Sequence, residues 1–222
     1  MTEDVDTKQR KSRSLVRTEA RLKLTREHLQ TVHDALRRAK RADNHAIINH
    51  ATVRNSELGL QILYTHLNEY LKLILSAMFE KRPLQIVDKA QDTLQFQEII
   101  RLGTYEAICH YMVDRVFRRL QNDTHSMGKF IEKLLARTDT KIDEKILNDA
   151  LWYIEIRHLI VHNSGRIDKP FADRYAQKFQ GVAAGNKLPI NLGMAKKGIT
   201  AVGQLCQTID RELIARGYID VN

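Results

Sequence analysis

Ala150-Leu-Trp-Tyr-Ile-Glu-Ile-Arg-His-Leu-Ile-Val-His-Asn-Ser-Gly-Arg-Ile-Asp168 is the stretch on which the reading of this chain turns. Reading back from it, Ile146, Leu147, Ala150, Leu151, Ile154, His158 and Val161 recur at three- and four-residue steps, the period of one helix face. A helix that buries Leu147, Leu151 and Ile154 then places Arg157, His158 and His162 on its last turns. Gly165 ends it, close to a C-cap. Ionisable groups beside an apolar face are costly unless paired, so this cluster asks for a chemical reason.

The chain on both sides is helical in pattern. Leu15, Leu22, Leu29, Val32 and Leu36 fall near a seven-residue spacing and predict a long helix from about Leu15 to Ala42, with arginines and lysines on its other faces. Residues 44–55 join it to the next helix, which Ser56 caps and which runs from Glu57 to about Lys81. Pro83 breaks that helix. A short helical piece around Leu94–Ile100, a helix from Gly103–Thr104 to about Leu120, a turn at Asn122–Thr124 and a short helix over Met127–Ala136 follow. Residues 137–143 read as a loop. Beyond the opening stretch come a small helix near Phe171–Phe179, a brief extended piece at Lys187–Leu192 and a last helix over Met194–Arg216. The fold class is all-α, a helical bundle with a long basic N-terminal helix. Its divisions are a disordered basic tail at 1–14, the basic helix at 15–44 and one helical domain at 45–222.

Composition agrees with that class. Three prolines and ten glycines in 222 residues, with 6% aromatics, favour helices over a β-rich fold. Cys109 and Cys206 lie far apart in apolar helical stretches and read as reduced core thiols. No apolar run approaches the ~18 residues of a membrane span. Glu3, Asp4 and Asp6 stand where a secretory signal would need an apolar run, so a cytoplasmic protein without membrane contact is expected. The formal charge of +9 is unevenly placed: residues 8–41 hold 12 Lys/Arg against 3 Asp/Glu, and the remainder is neutral. Arg10, Lys11, Arg13, Arg17 and Arg21 are therefore candidates for tracking an RNA backbone, because clustered cations release counterions from nucleic acid. The competing reading is a solvated helix or a strut between protomers. His45 and His50 lack nearby ligand partners and read as ordinary polar positions. The chain carries no Gly-rich phosphate loop, nucleophile elbow or Cys/His zinc spacing.

Arg157, four intervening residues, His162 and then Asn163 resemble the signature of the HEPN superfamily, an arginine and a histidine four to six residues apart. The run from Arg157 through Gly165 looks like the RHxxVHNxG form of that motif, with His158 as the polar residue after the arginine. The resemblance covers roughly residues 45–216, and the motif is its specific part. It implies an antiparallel helical bundle and a homodimer. It further implies a metal-independent ribonuclease of a toxin–antitoxin or phage-defence system, with RNA as substrate and an antitoxin or defence-system partner. One position departs from many such toxins: Ser164 stands where they carry a tyrosine that the antitoxin modifies.

Side-chain chemistry suits the implied reaction. Attack of an RNA 2′-hydroxyl on the adjacent phosphorus needs a base, an acid for the departing 5′-oxygen and positive charge on the phosphorane. Histidine titrates near neutrality and serves as acid or base, while arginine stays charged and grips two phosphate oxygens. The resemblance implies that Arg157 holds the phosphate, His162 transfers the proton, and His158 and Asn163 orient or assist, with no metal or other cofactor. Arg157 and His162 lie roughly 140° apart around an ideal helix, so a two-fold dimer with two motifs in one cleft is expected. Glu69 and Glu155 are candidate supporting carboxylates for Arg157. A divalent-metal site at Glu155, His158 and His162 is a further candidate, although the His-Glu-x-x-His order is absent. A non-catalytic nucleic-acid- or protein-binding module of the same fold is the main alternative to the nuclease.

Overall fold

Leucines spaced by seven begin the fold. Leu15, Leu22 and Leu29 are all buried on helix α1, Arg13–Ala39, while Val32 and Leu36 are half-buried. The computed structural model describes residues 11–39, 45–87, 92–124, 126–177 and 182–221. Ser12 starts α1 as its cap: the hydroxyl accepts from the Leu15 N–H at 3.2 Å. The buried Asp210 carboxylate holds that serine, accepting from its N–H at 2.8 Å and from its hydroxyl. Ser12 and Arg13, expected within the disordered tail, are thus held at the start of α1 by a buried carboxylate. Residues 1–10, Arg10 among them, lie outside the described residues.

The other described helices are α2 (His45–Lys81), α3 (Pro83–Ile86), α4 (Phe96–Leu102), α5 (Tyr105–Thr124), α6 (Met127–Ala136), α7 (Glu144–His162), α8 (Lys169–Tyr175) and α9 (Leu192–Ala215). Among the described residues the chain is all-α, with one isolated antiparallel bridge, Arg166 to Lys187, and no named strand. No described helix is long and apolar enough to cross a membrane.

Two boundaries differ from the sequence reading. The joining segment 44–55 is helical from His45, so α2 runs 37 residues and Ser56 sits inside it. There the Ser56 hydroxyl donates to the Thr52 carbonyl at 2.8 Å, and Thr52 does the same to Ile48 at 2.8 Å. Such back-bonding lets Ser and Thr occupy a helix interior, where sequence alone reads them as caps. Helix α5 continues through Asn122 and Asp123 to Thr124, whose hydroxyl donates to the Leu120 carbonyl at 2.8 Å in place of a turn. Cys206 is buried as expected, but Cys109 is only half-buried.

The chain forms two compact units, with boundaries inside α1, α2 and α9 and a fourth just before α7. The first comprises the described residues of Met1–Arg17, Glu69–Ile142 and Cys206–Asn222. Its core gathers Tyr70, Ile74 and Met78 of α2, Met112, Val116, Phe117 and Leu120 of α5, Phe130 and Leu134 of α6, and Ile209 and Leu213 of α9. Phe117 meets Phe130 edge-on at 5.1 Å. Arg119 grips the buried Asp92 with two hydrogen bonds of 3.0 and 2.6 Å.

The second unit comprises Thr18–Asn68 and Asp143–Leu205. Helix α1 packs here on its own chain. A Cβ at Gly59 would lie 2.8 Å from Leu29 Cδ1, and one at Gly198 would lie 2.9 Å from Leu63 Cδ1 and 3.0 Å from Tyr153 Cγ. Glycine at these positions lets α2 and α9 approach their neighbours closely. The leucine stripe of α1 is thus covered from within the chain rather than left for another protomer.

Candidate functional site

The motif helix α7 begins at Asp143, whose carboxylate accepts from the Lys145 N–H at 2.7 Å. Two apolar stripes then run along it. Leu147, Ala150, Leu151 and Ile154 form the one expected, while Trp152, Ile156 and Leu159 form a second. Helix α8 covers the second: Phe171 lies 4.8 Å and Tyr175 5.1 Å from the Trp152 ring. The second stripe, not the first, carries burial to the helix end. Hence His158 and Val161, expected on the inner face, are exposed.

The helix ends in a tight reversal. Asn163 and Gly165 both donate to the Leu159 carbonyl, at 3.0 and 2.8 Å. Ser164 and Gly165 take the left-handed conformation, φ 51° and 75°, which glycine adopts without penalty and serine only where surroundings hold it. Surroundings do hold it. Ile167 donates to the Asn186 carbonyl at 2.9 Å, Gly185 to Ile167 at 2.8 Å and Leu188 to Gly165 at 2.9 Å. The extended piece expected at Lys187–Leu192 thus pins the turn that follows the motif.

The motif side chains divide into two groups. His158 and His162 stand together in solvent, ring centroids 4.7 Å apart and tilted by 43°. Arg157 is half-buried with its guanidinium 4.4 Å over the Tyr64 ring of α2. That contact restrains a planar cation and leaves its in-plane donors available. Asn163 donates from Nδ2 to Asp168 Oδ2 at 3.0 Å, and Asp168 Oδ1 caps α8 by accepting from the Phe171 N–H at 2.9 Å. Asn163 therefore ties the end of α7 to the start of α8.

Glu155 has a partner other than Arg157. Glu155 accepts instead from Arg174 Nη1 of α8. Burial raises the Glu155 carboxyl above its ordinary value, against the lowering pull of the Arg174 charge and hydrogen bonds from Arg174 and Tyr175. Burial also lowers Arg174, but the Glu155 and Tyr175 oxygens outweigh it and leave its pKa raised. Glu69 is exposed. The trio Glu155, His158 and His162 does not assemble, and no group of three His, Cys, Asp or Glu suited to a metal occurs among the described residues.

No protein-family model matches the chain, and no curated protein or solved structure matches it either. The site therefore rests on its own geometry. Sequence reading missed Tyr64, Arg174 and the capping role of Asp168, because each acts through a partner on another helix. The Asp-x-x-Phe start of α8 was the one local signal. Of the basic candidates, Arg13 and Arg17 are exposed, and Lys11 and Arg21 are half-buried. Lys11, Arg13 and Arg17 fall in the first unit and Arg21 in the second.

Proposed function

We propose that this chain is a metal-independent endoribonuclease of the HEPN type, acting as a homodimer. The observation that carries the reading is the exposed His158–His162 pair, 4.7 Å apart, on the last turns of a helix that also bears Arg157. Two imidazoles in reach of one substrate suit a reaction needing both a base and an acid. One accepts the 2′-hydroxyl proton as that oxygen bonds to phosphorus. The other protonates the 5′-oxygen as its bond to phosphorus breaks, leaving a 2′,3′-cyclic phosphate and a free 5′-hydroxyl. Arg157 stabilises the charge gathered on the phosphorane, and electrostatic stabilisation of this kind often contributes more to catalysis than any other effect. A two-fold axis supplies the second motif that one helix cannot place on the same face. Exposed cations of α1 add sequence-independent attraction for RNA, and a toxin–antitoxin or defence setting supplies the regulating partner.

The test is cleavage of end-labelled single-stranded RNA with and without EDTA. Wild type cuts equally in both and leaves cyclic-phosphate ends. His162→Ala folds, shown by unchanged circular dichroism, and loses at least about a hundredfold, the lower range for a general acid or base. Wild type that never cuts, across salt and pH, refutes the nuclease. The alternative of a non-catalytic binding module draws on Asn163 and Glu155, both occupied by structural partners. It predicts RNA or protein binding that His162→Ala leaves intact, without cleavage.

A further inference from the structure

A separate feature of the second unit is a hollow of about 550 Å³ lined by α1, α7 and α9. Arg26 of α1 and Lys196 and Lys197 of α9 face it, against a single carboxylate, Asp149 of α7. None of the three cations forms an ion pair among the described residues. Elsewhere cations meet acids directly, as in Lys72–Asp114 and Arg174–Glu155.

Two of the three are held in place by neutral groups. Arg26 Nη2 donates to the Thr200 hydroxyl at 2.9 Å, and Lys196 Nζ donates to Gln30 Oε1. Their charge is fixed in position without being neutralised. A guanidinium carries five N–H donors, so one bond to Thr200 leaves the others for a second acceptor. Lys197 is exposed and makes no hydrogen bond among the described residues.

We propose that this hollow binds a phosphate-bearing ligand, with Arg26, Lys196 and Lys197 as the cations that hold the phosphate. Charge-assisted bonds from fixed donors are the strong class for phosphate oxygens. Thr200 and Tyr153 line the same hollow. Burial, with Asp149 nearby, raises the Tyr153 phenol above its ordinary value, which keeps it a proton donor. The volume lies within the range of roughly 300–1,000 Å³ usual for small-ligand sites and exceeds the needs of a bare anion. The ligand is thus a phosphate carried on a larger group, either a free nucleotide or a segment of RNA backbone. Binding here requires neither histidine and stands whether or not the chain cleaves RNA.

The test uses two probes on the full chain, ADP by calorimetry and a labelled twelve-residue oligouridine by fluorescence anisotropy. Wild type binds at least one. Lys197→Glu weakens that binding by about tenfold or more, equivalent to ~1.4 kcal/mol, with an unchanged melting temperature. Lys197→Arg restores it. Binding of ADP alone assigns a free nucleotide. Binding of the oligouridine, weakening steeply with salt and lost in Lys197→Glu, assigns the RNA backbone. Wild type that binds neither probe overturns the proposal, as does Lys197→Glu that binds like wild type.

Discussion

Replacing Arg119 with methionine breaks a buried ion pair in the first unit. The Asp92 side chain is 0% exposed and that of Arg119 20%. The guanidinium meets both carboxylate oxygens, Nε to Oδ1 at 3.0 Å and Nη2 to Oδ2 at 2.6 Å. Its approach to the exposed Asp123, at 3.9 Å, adds little. Methionine keeps most of the apolar stem and removes the charge, so the loss is that of breaking a buried pair, about 3–5 kcal/mol. With a urea dependence of roughly 2 kcal/mol per molar, the midpoint followed by far-UV circular dichroism falls by roughly 1.5–2.5 M. The double variant Arg119→Met/Asp92→Leu removes both charges and recovers to within about 1 kcal/mol of wild type, since apolar replacements of buried pairs are often neutral. A single variant within about 0.3 M of wild type refutes the reasoning, and so does a double variant no better than the single.

Two further expectations concern the motif helix. Tyr64→Leu removes the ring beneath Arg157, and a cation–π contact at a half-buried site is worth about 1 kcal/mol; melting temperature should fall by about 2–4 °C, while Tyr64→Phe stays near wild type, and equal loss in both would implicate the hydroxyl instead. The raised Glu155 pKa gives a linked effect in pH: its contribution to stability is complete below the unfolded carboxylate value, near 4.3, and is lost as pH rises through the higher folded value. The stability of wild type relative to Glu155→Gln, measured by urea titration from pH 4 to 7, should therefore decline with pH, and a rise would show that the Arg174 pairing governs the group.

The sequence made helices legible wherever burial followed one period. The leucines of α1, the limits of α6 and the end of α7 near Gly165 are of that kind, since local pattern and capping agree there. Ser56 shows where such legibility stops: a serine before a helix and one bonded back to a carbonyl within it are the same letter. His158 shows a second limit. Its exposure depends on α8 covering Trp152, a tertiary choice that the spacing of α7 does not contain. The motif residues were found, but their partners were not. Tyr64 under Arg157 and Arg174 against Glu155 come from helices whose facing sides are set only by packing.

Trp152 has a practical consequence. It is the sole tryptophan of the chain, and its indole is enclosed by Phe171 and Tyr175 against the helix that carries Arg157, His158 and His162. Intrinsic emission excited at the indole is thus a signal that arises within the second unit. Fluorescence and circular dichroism followed together through one denaturation become a comparison of the two units: coincident curves mean a single cooperative transition. Separated curves would give each unit its own stability, and quenching by acrylamide would time the undocking of α8 from the motif helix.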